Sequence, residues 1–328
     1  MGTLGNIASS APVFVVGQPR SGSTLLTRVL NESPDLFVIN DFYGLQKIDA
    51  EDLWGPLDAA GAARVAQITF ERIEIRATQE TGKTLEQSIE LSAEQVETLR
   101  SFSMRTWEDG LRWHQVLSAV MGKAAELAGA ARWGYNTPQD YLHLERLYEA
   151  FPEAQVLFLL RQPEKVLSSY KNVSGPWHEA DRYNPLAIGM AWKAASKAFN
   201  HWADARPGQV HFQTYEALTG ERDSALKSLG QFLHTDFPPM DFDSFGRNTS
   251  HDDHSVKKPV SPSELWLCEK MIGVELEKRG YAPSKTAKPR LADTGTLLGL
   301  GARSGSYIAK TMLDSDRRKR VMRMVGGQ

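Results

Sequence analysis

Val13-Phe-Val-Val-Gly-Gln-Pro-Arg-Ser-Gly-Ser-Thr-Leu-Leu-Thr-Arg-Val-Leu30 reads as strand, loop and helix in immediate succession. Val13 to Val16 is a short continuous apolar run rich in β-branched residues, the pattern of a strand buried on both faces. Gly17 to Gly22 supplies a tight turn, and Ser23 or Thr24 can cap the helix that follows. Leu25, Leu26, Val29 and Leu30 give that helix an apolar face. A glycine-bearing loop that opens onto a helix N-terminus gathers backbone N–H groups, and the helix dipole favours negative charge there. The stretch is built to hold an anion.

The register resembles the triphosphate loop G-x-x-x-x-G-K-[ST], with Gly17, Gly22 and Thr24 in place. Ser23, however, stands where the lysine should be, and the basic residue lies inside the loop as Arg20. In a nucleotide triphosphatase the lysine reaches the β/γ-phosphates and the hydroxyl holds Mg²⁺. A loop lacking it suits one phosphate carrying one further anionic group, gripped by amides and an arginine. By itself the Gly17/Gly22 spacing is also that of an ordinary βα turn.

A second stretch, Val156-Leu-Phe-Leu-Leu-Arg161-Gln-Pro163-Glu-Lys-Val166-Leu-Ser-Ser169-Tyr170, pairs a buried strand with a terminal arginine and a helix that follows. Arginine's planar fork binds phosphate oxygens bidentately, and a serine hydroxyl can complete the grip. A triphosphatase would want an acidic Mg²⁺ ligand at the end of such a strand. Arginine there points to direct phosphate contact.

Pro19-Arg-Ser-Gly-Ser-Thr24 resembles the 5′-phosphosulfate loop of the sulfotransferases that use 3′-phosphoadenosine 5′-phosphosulfate (PAPS). Arg161 and Ser169, eight positions apart, resemble that family's 3′-phosphate motif. The likeness extends over residues 11–281 as an ordered series of landmarks, including Tyr215-Glu-Ala-Leu218 for the family's YEDL strand. It implies an α/β, P-loop NTPase-like three-layer fold with a central parallel sheet and a helical insert at about 57–130. It implies sulfuryl transfer from PAPS, without a metal, to an acceptor hydroxyl of a carbohydrate, lipid or small metabolite. Gln18, Pro19, Arg20, Ser21, Gly22, Ser23 and Thr24 would hold the 5′-phosphosulfate, with Arg20 also stabilising developing charge. Arg161 and Ser169 would hold the 3′-phosphate, beneath a basic loop at Lys257 and Lys258.

The likeness breaks in two places. Many members carry Lys-x-Pro where this chain has Asn136-Thr137-Pro138, so an amide replaces a cation that touches the transferred group. Either Arg132, the nearest cation in sequence, substitutes, or catalysis leans harder on Arg20. Members with this loop type also place a catalytic glutamate just after the second strand, and here that place is filled by Asp41. Asp41 is the expected general base, shorter in reach by one methylene, and a strand-end or helix-capping role competes with it. His178, in a Gly- and Pro-bearing acceptor loop at 171–183, is the rival base and a candidate acceptor contact beside Asn136.

Elsewhere the chain excludes more than it specifies. A length of 328 residues can bury a large core, as one large α/β domain or two smaller ones. One cysteine, Cys268, forbids an intrachain disulfide and suits a cytoplasmic protein. No apolar run approaches a membrane span, and the N-terminus lacks a secretory pattern. A net charge of −2 makes no case for nucleic acid. Helices are expected over 57–79, 92–130, 185–205, 219–235 and 261–280, strands over 35–39 and 209–216, and a loop over 132–137. His251-Asp-Asp-His254 reads as a solvated turn rather than a metal site. The domain is expected to end near Tyr281, leaving a linker and a basic tail whose Asp316-Arg-Arg-Lys-Arg320 could touch an anionic membrane weakly. An ATP/Mg²⁺ kinase and a non-catalytic nucleotide-binding protein are the alternatives that the same fold would serve.

Overall fold

The computed structural model of the protein describes residues 11–78, 91–172, 183–240 and 258–293, with the backbone at Gly295 and Gly299. Strand β1 (Val13–Gly17) is buried at all five positions, as its unbroken apolar run requires. It feeds helix α1 (Ser23–Asn31), which buries Leu26, Thr27, Val29 and Leu30. The last residue of α1 secures the next strand, β2 (Leu36–Ile39). Asn31 donates from Nδ2 to the Val38 carbonyl at 2.9 Å and accepts the Val38 N–H at 2.7 Å.

Past β2 the chain forms α2 (Gly44–Ala50), β3 (Pro56–Leu57), α3 (Ala59–Thr78), α4 (Ala93–Ser103), β4 (Leu111–Arg112) and α5 (Trp113–Leu127). Ser92 caps α4 in a capping box with Gln95. The expected helix over 92–130 is thus two helices separated by a short antiparallel pairing of β3 with β4. Next come β5 (Arg132–Asn136), a 3₁₀ turn at Pro138–His143, α6 (Leu144–Ala150), β6 (Gln155–Leu160), α7 (Pro163–Asn172) and α8 (Pro185–Ala205). Strand β7 (Val210–Thr214), α9 (Tyr215–Gly220), α10 (Arg222–Leu233), α11 (Pro262–Ile272) and α12 (Glu275–Lys278) complete the order.

The central parallel sheet has five strands in the order β2-β5-β1-β6-β7. Segment 132–136, expected as a loop, is strand β5, paired in parallel with both β2 and β1. Its opening arginine and its glycine conceal a strand that is buried from Trp133 onward. Gly134 lies so close to β1 that a Cβ would come within 2.3 Å of the Val13 carbonyl oxygen. The strand expected over 209–216 stops at Thr214, and Tyr215 opens α9. The helix expected over 261–280 breaks at Gly273, whose φ is +63°.

By contacts the chain divides into two compact units. One contains the described residues of Met1–Val16, Ser23–Leu157 and Leu218–Arg247. Its α3 packs against α4 and α5, and the side chains of Phe14, Trp133, Tyr135 and Phe151 form a cluster of tilted and edge-on rings. The other contains the described residues of Gly17–Gly22, Phe158–Ala217 and Asn248–Gln328. Here α8 packs along α11, and the segment after α12 returns to α11. Ser284 donates its N–H to the Glu269 carboxylate at 3.0 Å, and Arg290 donates its own to Ser263 Oγ at 2.9 Å. No helix among the described residues is long and apolar enough to cross a membrane.

Candidate active site

The loop between β1 and α1 is held by contacts its glycines alone permit. A Cβ on Gly17, at φ +139°, would lie 2.1 Å from the Leu159 carbonyl oxygen. One on Gly22, at φ +94°, would lie 2.2 Å from the Tyr215 ring. Inside the loop, Ser21 donates its N–H to the Gln18 carbonyl at 3.2 Å, closing a four-residue turn. Pro19 takes the second position and Arg20, at φ +71°, the third. A turn with positive φ at its third residue favours glycine, so an arginine there sits in strained backbone. Strain of this kind persists where the surroundings enforce it, and it clusters at functional sites. Arg20 Nε donates to Ser169 Oγ at 3.1 Å, which joins the loop directly to the serine of the second motif.

Arg161 leaves β6 into a turn pinned on three sides. Its carbonyl accepts the Trp192 indole N–H at 3.0 Å. The next residue, Gln162, donates its N–H to Glu216 at 3.0 Å, and Glu216 also accepts the Tyr281 hydroxyl at 2.7 Å. The Arg161 guanidinium lies 4.0 Å from the centre of the Tyr215 ring, the ring that also covers Gly22. Arg161 Nε is buried with no hydrogen-bond partner among the described residues, as is Ser21 Oγ. Two buried donors without partners, in a cradle of fixed backbone, suit an oxyanion. Gln18 Oε1 is likewise buried and unpartnered, but as an acceptor it suits a donor group instead. Lys258 is exposed, yet its backbone is tied to the end of α7, the helix of Ser169. It donates its N–H to Asn172 Oδ1 at 2.6 Å and accepts from Asn172 Nδ2 at 3.0 Å.

The other unit assembles the residues around Asp41. Asn136 is fully buried and donates from Nδ2 to Asn40 Oδ1 at 2.6 Å. Asn40 Nδ2 in turn lies 3.2 Å from Thr24 Oγ1 and 3.5 Å from Asp41 Oδ2. The residue in the lysine's place therefore meets another amide, and Asn40 carries the connection to Thr24 and Asp41. Asp41 and Tyr43 both have left-handed backbones, with φ of +50° and +46°. Arg76 pairs with the Asp41 carboxylate at 3.3 Å, and Arg72 donates from Nε to the Phe42 carbonyl at 2.6 Å. Burial lowers the pKa of Arg72, and the like charge of Arg76 adds to the effect. Beside Asn136 in sequence, Tyr135 and Asp140 are wholly buried, and burial pushes the Asp140 carboxyl up to about 8.

Arg132 cannot stand in for the missing lysine. It opens β5 at the end of the strand opposite Asn136, and its guanidinium donates to the Ala11 and Leu233 carbonyls and to Gln155 Oε1. Parallel strands place their first residues at one sheet edge and their last at the other, so Arg132 serves the far edge. The expectation failed because nearness in sequence says nothing about which end of a strand a residue occupies. Sequence reading placed Asn40 beside Asp41 at the sheet edge without its bonds, and it missed Arg72, Arg76 and the stacking of Tyr215. Arg72 and Arg76 did offer a signal, since residues four apart share a helix face. His178, Lys257 and the His251/His254 pair lie outside the described residues. No group of three or more histidine, cysteine, aspartate or glutamate side chains fit to hold a metal occurs among those described.

The fold is shared with solved sulfotransferases. The sulfotransferase domain from the curacin biosynthetic pathway superposes with a TM-score of 0.50 at 17% identity, covering 84% of this chain and 99% of that one. The sulfotransferase domain of the Synechococcus PCC 7002 olefin synthase gives 0.47 at 16% identity, over 84% and 91%. Sulfotransferase STF9 from Mycobacterium avium gives 0.46 at 11%, over 84% and 78%. No curated protein matches the chain in sequence. The model of the sulfotransferase family, however, matches residues 12–239, which take in β1, the loop, Asp41, Asn136, Arg161, Ser169 and Tyr215. On that match this chain belongs to the sulfotransferase family and is a transferase.

Proposed function

We propose that the protein transfers a sulfuryl group from PAPS to a hydroxyl of a carbohydrate, lipid or small metabolite. The observation that carries the choice of donor is Arg161, a guanidinium fixed by stacking on Tyr215 whose buried Nε lacks a partner among the described residues. That donor suits a phosphate oxygen, and Ser169, bonded to Arg20, links it to the 5′ side of the nucleotide. In the reaction the acceptor oxygen forms a new bond to sulfur while the bond from sulfur to the 5′-phosphate oxygen breaks. The electron pair leaves on that oxygen, giving 3′-phosphoadenosine 5′-phosphate (PAP). Arg20 and the loop amides stabilise the charge that gathers there. Asp41 takes the proton of the acceptor hydroxyl. A monophosphate and a sulfate can be neutralised by arginines, amides and a helix N-terminus, so the chemistry asks for no divalent cation.

The test is transfer of label from ³⁵S-PAPS to a panel of hydroxyl and amine acceptors, run with the full chain in EDTA. Label should pass to hydroxyl acceptors with release of PAP. Turnover that EDTA abolishes and Mg²⁺ restores, or phosphate transfer from ATP, would overturn the assignment.

A further inference from the structure

Helix α3 brings two guanidinium groups, those of Arg72 and Arg76, to the Asp41–Tyr43 segment. Arg72 and Arg76 lie one helical turn apart, both half-buried and both beside the strained Asp41–Tyr43 segment. Of the acidic residues that share the helix, Glu71 attracts Arg72 but is also shared with other partners. Glu71 accepts from Lys47 at 3.2 Å and from Gln67 at 2.9 Å, and Glu74 pairs with Arg100. Two guanidinium groups in low-dielectric surroundings repel; burial, and then the charge of Arg76, lower the pKa of Arg72 against the attraction of Asp41, Tyr43 and Glu71. The Asp41 carboxylate pairs with Arg76 at 3.3 Å. Arg72 uses Nε on the Phe42 carbonyl, and its guanidinium sits 5.9 Å from the Tyr43 ring centre. Its two terminal nitrogens make no hydrogen bond among the described residues, so the fork is oriented at its root and open at its tip.

We propose that Arg72 and Arg76 form a binding site for an oxyanion carried by the acceptor, a carboxylate or a phosphate, set beside the base that receives the proton of its hydroxyl. The proposal rests on the reading of Asp41 as the acceptor-side base. An anion between the two arginines removes their repulsion and offers the bidentate geometry that a guanidinium fork matches. It also competes with Asp41 for Arg76, which loosens the ion pair as the hydroxyl approaches the carboxylate. Neutral alcohols would lack this hold, so the site discriminates among acceptors by charge rather than by shape.

The experiment is equilibrium binding by calorimetry to the full chain saturated with PAP, so that the nucleotide loop is filled. The probes are two matched pairs: 3-hydroxydecanoate against its methyl ester, and glycerol 3-phosphate against glycerol. The pair that shows the larger charge preference distinguishes carboxylate from phosphate. The charged member should bind at least about tenfold more tightly, and Arg72→Gln and Arg76→Gln should each erase about 10- to 100-fold of its affinity. Arg76→Lys should keep part of the preference, because charge survives while the fork is lost. PAP affinity, measured for every variant, reports that the fold is intact. Equal binding of charged and neutral probes overturns the proposal, as does a preference that survives the double Gln variant. Because binding is read without turnover, failure of PAPS to donate would refute the proposed reaction and leave this result standing.

Discussion

At the scale of single residues, the proposed function makes its sharpest predictions at strained and unpartnered positions. Arg161 is the sharpest case: Arg161→Ala should weaken PAP binding by ~2–4 kcal/mol, the scale of removing one partner of a buried charged contact, while AMP affinity hardly changes. Titration of both nucleotides checks this, and equal losses would detach Arg161 from the 3′-phosphate. Arg20 tests strain against function. Arg20→Gly relieves a φ of +71°, whereas Arg20→Ala loses the same side-chain contacts and keeps the strain, so the glycine variant should be the more stable of the two by about 1 kcal/mol while turnover collapses in both. Chemical denaturation beside a rate assay reads both, and an alanine variant at least as stable as the glycine one would refute the strain. Asp41→Asn should cost ~10²–10⁴ in kcat with PAPS binding retained, the usual loss on removing a general base. His178→Ala is the control at saturating substrates. Near-normal turnover in the Asp41 variant with collapse in the His178 variant would move the base to His178.

Among elements, α7 carries Ser169, so its placement would set the 3′-phosphate grip that the proposed function assigns. Its Lys171 donates to Glu264 at 2.7 Å and to the Pro259 carbonyl at 2.8 Å, and Glu264 is only 2% exposed. Glu264 also accepts the Ser261 N–H at 2.7 Å, as the capping box of α11. One buried carboxylate thus caps α11 and holds it to α7, while Asn172 secures Lys258 a turn away. Removing the cation leaves Glu264 buried and charged without its main partner. Lys171→Met should therefore cost about 2–3 kcal/mol, below the range for a fully buried pair because Lys171 is partly exposed. PAP affinity should fall with it if α7 shifts. An unchanged denaturation midpoint would show that α7 is held by its apolar packing alone.

For the whole molecule, the buried Asp140 makes stability depend on pH in an uncommon direction. Its carboxyl is raised from 3.8 to about 8 by burial, with the Tyr135 hydroxyl pulling the other way. Neither oxygen makes a hydrogen bond of regular geometry among the described residues. The folded protein therefore keeps a proton that the unfolded chain releases, so stability falls as pH rises between those two values, by at most about 1.4 kcal/mol per unit. Asp140→Asn should flatten that decline in unfolding experiments between pH 5 and 8, and an unchanged slope would refute the assignment. The sequence by itself determined the parts whose physics is local. The β-branched run before Gly17, the glycines that admit Leu159 and Tyr215, and an arginine closing an apolar strand each announce themselves within a few residues. Strand β5 was hidden because its arginine and glycine break the apolar pattern, and only pairing with β1 and β2 makes that backbone a strand. The neighbours of Asp41 were illegible for the same reason. Asn40 follows β2, Asn136 ends β5, and Arg72 and Arg76 share α3, and nothing local to any of these three segments indicates the other two. Tertiary packing alone buried Asn136, turned Arg132 to the far edge of the sheet and brought two arginines to one carboxylate, because contacts between segments far apart in sequence follow from how strands pair and helices pack.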